Sequence, residues 1–123
     1  MKLWIDDLRP APDGYVWCKS VSNARMIIEE SECLVKYHTH QISSHRLNGN
    51  LKHISKVQQY TIELIDIDHD AGDYTQYGGD YIRLLDWLEE TGRNYPIRIH
   101  SMNSVGVANM RAIIERNGWK EIK

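Results

Sequence analysis

The chain has no phenylalanine, three prolines and two cysteines in 123 residues. Its aromatic bulk therefore rests on four Trp and seven Tyr, whose N–H and O–H groups need partners wherever they are buried. Cys18 and Cys33 make no CxxC pair and stand where apolar side chains would serve. That excludes a disulfide scaffold and predicts two buried, reduced thiols. No apolar run approaches the ~20 residues of a membrane span. Met1-Lys-Leu-Trp-Ile5 runs straight into Asp6-Asp7, so no secretory leader is expected and the plain reading is a cytoplasmic protein. A dominant charge is missing too, since the formal net charge is −2, and this gives no global attraction to nucleic acid or anionic membrane.

One stretch lacks acid altogether. Residues 34–60 carry Lys36, Arg46, Lys52 and Lys56 with His38, His40, His45 and His53, and no Asp or Glu, which leaves the rest of the chain at −6. Asn48-Gly49 is a turn signal within it, and a hairpin or a strand–turn–helix excursion is expected there.

Around that stretch, β-prone and helical segments alternate. Strands are expected at 2–6, 15–18, 61–67 and 96–100, with a short final one at 119–122. Ser20 or Ser22 can cap a helix through about Glu30, and further helices fit 80–91 and 104–116, stopped by Gly92 and Asn117-Gly118. Gly72 and Gly78-Gly79 bracket what reads as a flexible, tyrosine-rich loop. The alternation predicts a single α/β domain over 1–123, with a mostly parallel, flavodoxin-like sheet, helices on both faces, and an insertion at 34–60. The connection between the first two strands, with Pro10, Pro12 and Asp13-Gly14, is too short for a helical crossover. Either its helix has shrunk to a loop or those strands are antiparallel.

Open parallel sheets bind ligands outside the carboxyl ends of their strands. Three strands here end in polar chemistry: Asp6-Asp7, Asp68-His69-Asp70, and His100-Ser101 with Asn103 beyond. Carboxylates gathered in one crevice repel each other, and a hard cation keeps them ionised. Asp6, Asp7 and Asp68 are the expected shell for Mg²⁺, which takes oxygen ligands and retains waters, with Mn²⁺ or Zn²⁺ as alternatives. His100 and His69 are the expected proton-transfer pair, with Asp70 orienting one imidazole. Arg9, Ser101 and Asn103 are expected to bind phosphate oxygens, the last two at a helix N-terminus. Asp66, inside a strand, reads as structurally paired, and Asp73 and Asp80 as loop and cap residues.

Together Asp6-Asp7-Leu8-Arg9-Pro10, Ile67-Asp68-His69-Asp70, Gly79-Asp80-Tyr81 and His100-Ser101-Met102-Asn103 resemble the cyclic-phosphate-processing receiver domains, a divergent branch of the response-regulator receiver fold. The resemblance covers residues 1–30 and 61–120. It implies a receiver-like sheet and a Mg²⁺ site on Asp6, Asp7 and Asp68, with Ser101 standing where receivers carry a Ser or Thr after the fourth strand. Ordinary receivers also place a lysine after the fifth strand, a role Lys120 fills poorly, and they have no counterpart of His69 and His100.

The expected activity is a metal-assisted phosphoesterase or cyclic phosphodiesterase acting on a phosphorylated small molecule, a cyclic nucleotide or an RNA cyclic-phosphate end. The rivals are a receiver-like phosphoacceptor or interaction module using Asp68, and a nucleotide-binding protein that sequesters its ligand uncleaved. The 34–60 segment is expected to be a mobile basic lip beside the acidic crevice, drawing in a polyanion.

Overall fold

A computed structural model describes residues 1–43 and 47–123, with side chains described outside 44–49. Four short strands, β1 (Lys2–Ile5), β2 (Tyr15–Cys18), β3 (Leu64–Ile67) and β4 (Ile97–Ile99), form one sheet in the order β2-β1-β3-β4, all parallel. The β1–β2 pair is thus parallel, and the helix expected between those strands has become a loop. Residues 6–14 make the return without one because Pro10 and Pro12 keep the chain extended. The turn into β2 closes where Tyr15 N–H donates to Pro12 C=O, next to Gly14 at φ 85°.

The helices are α1 (Val21–Ile42), α2 (Leu47–Tyr60), α3 (Ile82–Glu90) and α4 (Ser104–Asn117). Ser20 caps α1 by accepting from Asn23 N–H, a contact worth ~1 kcal/mol. Asn103 caps α4 in the same way through Gly106 N–H, and Gly118 closes it. The tyrosine-rich segment is a 3₁₀ helix, Gly72–Tyr77, rather than a flexible loop. The expected strand at 119–122 is reduced to one bridge, Glu121 beside Ile97, with Trp119 buried before it.

Alternation along the strands sends Leu3, Ile5, Cys18, Ile65, Ile67 and Ile97 to one face, and these join the buried residues of α1, α3 and α4 in one core. The crossovers β2–α1–α2–β3 and β3–α3–β4 step the same way across the sheet. Right-handed connections therefore stack their helices on that one side. The other face carries Lys2, Trp4, Tyr15, Asp66 and Arg98. Helical cover is one-sided among the described residues, not two-sided as expected, because the β1–β2 connection that would begin a second layer is a loop.

The 34–60 segment is the largest correction. It is neither a hairpin of strands nor a strand–turn–helix: α1 continues to Ile42, and α2 packs back along it, Asn48-Gly49 lying in its first turn. Leu51, Ile54 and Val57 follow a helical period, which overrides the local turn preference. Nor does the segment lie beside the acidic crevice. Its 22 residues carry α1 ~33 Å from its start at the carboxyl end of β2, whereas a four-residue strand spans ~13 Å. Ser31 Oγ donates to Tyr60 C=O, and Met1 donates to Thr61 C=O at the start of the sheet. The described basic residues Lys36, Lys52 and Lys56, with His38, His40 and His53, therefore project past the amino ends of the strands; His45 and Arg46 lie outside the described residues. Cys33 is exposed on α1, since the helix leaves the core just before it, while Cys18 is buried with its thiol pushed up to about 12 by burial. Among the described residues no helix is long and apolar enough to cross a membrane.

Candidate functional site

The strand order reverses between β1 and β3: the chain leaves β1 toward β2 on one side and leaves β3 toward β4 on the other. A crevice opens outside the carboxyl ends at such a switch point. Asp6 and Asp7 leave β1 into it and Asp68 leaves β3, the pairing continuing one residue past the strands as Asp68 N–H donates to Ile5 C=O. Ligand oxygens of the three carboxylates lie within 4.8 Å of one another, so the cluster can hold a metal ion.

Asp6 is 1% exposed. Burial opposes its ionisation, but N–H groups of Arg9 and Leu8 and the His100 ring outweigh that and hold it below the usual carboxylate range. Asp7 shifts the other way. Burial, with the charges of Asp6, Asp68 and Asp73, pushes its carboxyl up despite a backbone hydrogen bond of its own. A cation would relieve that repulsion, which is the sense in which these residues fit one. Asp68 accepts from His69 N–H at 2.7 Å. Arg9 leans over the group, its Nε 3.4 Å from Asp6 and a terminal nitrogen 3.8 Å from Asp68, with its side chain half exposed. Tyr81 is buried beneath, its phenol donating to Lys19 C=O and raised by burial and by the charges of Asp7, Asp6 and Asp68.

His100 joins this cluster from β4. Its Nδ1 is 2.6 Å from Asp66 and its Nε2 is 2.9 Å from Asp6, and both bonds form at once when each ring nitrogen carries a hydrogen. Trp4 stacks on the ring at 3.8 Å and 5°. Asp66 is structurally paired, as the sequence suggested, and its partner is His100.

His69 forms a second group one residue past Asp68. Its Nδ1 bonds Asp70 at 2.9 Å, with the Asn103 amide at 3.4 Å. Gly106 leaves room for it: a Cβ there would meet the ring at 2.5 Å. Among the described residues no side chain bonds its Nε2. Asn103 spends its oxygen on the α4 cap, and Ser101 Oγ accepts from Asn103 N–H. Asp80 accepts from Ala71 N–H, holding the start of the 3₁₀ segment. Lys120 lies apart from all of this, at the amino end of β4 beside Ile97.

Some of the residues that shape the site were not singled out from sequence. Trp4 was findable, because strand alternation puts it on one face with Asp66, next to the position that His100 enters. Gly72 and Gly106 were not, since their role is room for a side chain distant in sequence: a Cβ on Gly72 would sit 2.3 Å from Asp7 Oδ2.

Neither the curated proteins nor the solved structures returned a match to this chain. Among protein families, the cyclic-phosphate processing receiver domain matches residues 1–116, a span that takes in the α1–α2 hairpin as well as every polar strand end. An acidic crevice at the switch point of a parallel sheet and this match agree: the chain belongs to the cyclic-phosphate processing receiver domain family.

Proposed function

We propose that the protein is a metal-assisted phosphoesterase that opens a cyclic phosphate on a nucleotide or an RNA end. The observation that carries this reading is the adjacency of two unlike groups: a three-carboxylate cluster, and a histidine oriented by its own carboxylate one residue away. Asp6, Asp7 and Asp68 would hold the cation. Oxygen donors alone favour Mg²⁺ or Mn²⁺ over Zn²⁺, because His100 has both ring nitrogens on carboxylates and His69 has one. Such an ion supplies polarisation of a phosphoryl oxygen and a more acidic bound water.

The residues divide the remaining work. Asp70 fixes the hydrogen of His69 on Nδ1, leaving Nε2 to take the proton of an attacking water. The water oxygen bonds to phosphorus, one of the two ring P–O bonds breaks, and the proton returns from Nε2 to the departing ribose oxygen. The product is a phosphomonoester beside a free hydroxyl. Arg9 and the Ser101 hydroxyl hold phosphate oxygens, and Asn103 positions the His69–Asp70 pair from the helix start. His100 is a positioning residue, locking Asp6 in place from behind.

Incubation with 2′,3′-cyclic mononucleotides, cyclic dinucleotides and cyclic-phosphate RNA tests this. A phosphomonoester is expected with Mg²⁺ or Mn²⁺ and none in EDTA. His69→Ala should lower the rate about 10²–10⁴-fold and leave Mn²⁺ affinity unchanged. No product from any substrate, together with labelling of Asp68 by a small phosphoryl donor, would favour the second reading, a receiver-like phosphoacceptor. The position of Asp68 among Asp6 and Asp7 favours that reading; the distance of Lys120 from the crevice counts against it.

A further inference from the structure

A cleft of 490 Å³ lies beside the carboxylates, between the start of α1 and the 3₁₀ segment, lined by Trp17, Lys19, Ser20, Asn23, Tyr74 and Tyr77. This volume is within the roughly 300–1,000 Å³ of small-molecule sites. We infer that it is a nucleobase subsite, so that the substrate of the proposed reaction is a nucleoside cyclic phosphate rather than a small phosphoester; this rests on the function proposed above.

Four observations carry the inference. The cleft and the carboxylates share their walls: Trp17 Nε1 donates to Asp6 C=O at 2.7 Å, Lys19 C=O accepts from Tyr81, and the 3₁₀ segment begins at Gly72, against Asp7. A ligand with its phosphate at the acids can therefore reach the cleft with its other end. The lining is largely aromatic, with Trp17 from the end of β2 and Tyr74 and Tyr77, paired at 6.3 Å, from the 3₁₀ segment. Since the Trp17 N–H is already spent and Lys19 covers one face of its ring, stacking in the cleft falls to Tyr74 and Tyr77. Polar groups remain free to read an edge. Ser20 is used as a cap, but the Asn23 amide bonds no described residue and offers both donors and acceptors. Finally, the Lys19 ammonium sits 4.4 Å from the Trp17 ring centroid. It puts a positive charge in the cleft, which favours a ligand that carries an anion.

The test uses the intact chain and three probes: adenosine 2′,3′-cyclic monophosphate, adenosine, and glycerol 1,2-cyclic phosphate, which has no base. Base stacking on one aromatic ring is worth about 5- to 140-fold in affinity, from ~1–3 kcal/mol at ~1.4 kcal/mol per tenfold. Tyr77→Ala and Asn23→Ala should each weaken the cyclic nucleotide about tenfold or more and leave glycerol cyclic phosphate unchanged. Tyr77→Phe, which keeps the ring, should bind as wild type does. Adenosine alone should shift the indole N–H resonance of Trp17. Equal affinity of wild type and both alanine variants for the cyclic nucleotide, or equal losses for the two cyclic phosphates, would overturn the subsite. Failure of the catalytic reading looks different: adenosine and its cyclic phosphate both bind at the cleft, and the cyclic phosphate is not hydrolysed.

Discussion

At the carboxyl ends of the strands Asp6 and Asp66 are 1% and 2% exposed and share one histidine, whereas past the amino ends Lys36 and Lys52 stand in water along α1 and α2. Both ends are rich in charge and histidine. The difference lies in the backbone that carries them. Parallel strands fix three chain exits a few ångströms apart, so charged groups there must be neutralised by geometry. A helical hairpin lets its long side chains point away from each other, and nothing has to be paired. At that end two imidazoles meet, His38 Nδ1 to His53 Nδ1 at 2.8 Å, half buried between Tyr37 and Tyr60.

The strongest way to break this comparison is His100→Ala. It strips the partner from Asp66 and one of the partners from Asp6, two buried carboxylates, and breaking a buried pair in this way costs ~3–5 kcal/mol. Urea unfolding should show a loss of that size. A loss under ~1 kcal/mol would mean that the carboxyl end holds its charges as loosely as the hairpin does.

A smaller effect is expected at Gly106, and its sign is informative. In a solvated helix, Gly→Ala stabilises by up to ~1 kcal/mol. Here the added Cβ would press on His69 at 2.5 Å, and overpacking costs ~1–3 kcal/mol. Gly106→Ala should therefore lower the thermal midpoint; a rise would show that the His69 ring has room to yield.

The smallest effect belongs to the amino end. Lys52→Ser with Lys56→Ser should change stability by less than ~0.5 kcal/mol. It should also leave Mn²⁺ and cyclic-nucleotide affinity as in the wild type at 0.1 M salt, since the hairpin extends away from the carboxylates by more than the ~10 Å over which charge acts there. Weaker binding by the variant at that salt would restore the basic lip.

The same contrast explains what could be read from sequence. Strand ends are covalent neighbours of strands, so Asp6, Asp7, Asp68 and His100 could be assigned to one crevice once the sheet was recognised, and the parallel fold followed from the alternation of elements. The path of 34–60 could not, because its outcome depends on helix-to-helix packing that the turn signal Asn48-Gly49 contradicts. One-sided cover was hidden for a related reason: it depends on the direction of each crossover, not on the residues within it. The aromatic cleft stayed out of view because Trp17 and Tyr77 come to line it only through tertiary structure, and Tyr74 reads as a loop residue until the 3₁₀ turn is formed.

Lys2 lies beside Leu64 in the sheet, and Ile65 beside Ile97, so the order of synthesis bears on assembly. When β1 and β2 have emerged, Asp6 still lacks His100, and it lacks it until about four-fifths of the chain exists. The α1–α2 hairpin, whose contacts are local, can form on its own well before that. Its length adds little to the closure of β1 on β3, because that cost grows only with the logarithm of the loop. A sheet closed early, without β4, would bury Asp6 and Asp66 without the imidazole they share, so the last strand to be made is the one that completes their pairing.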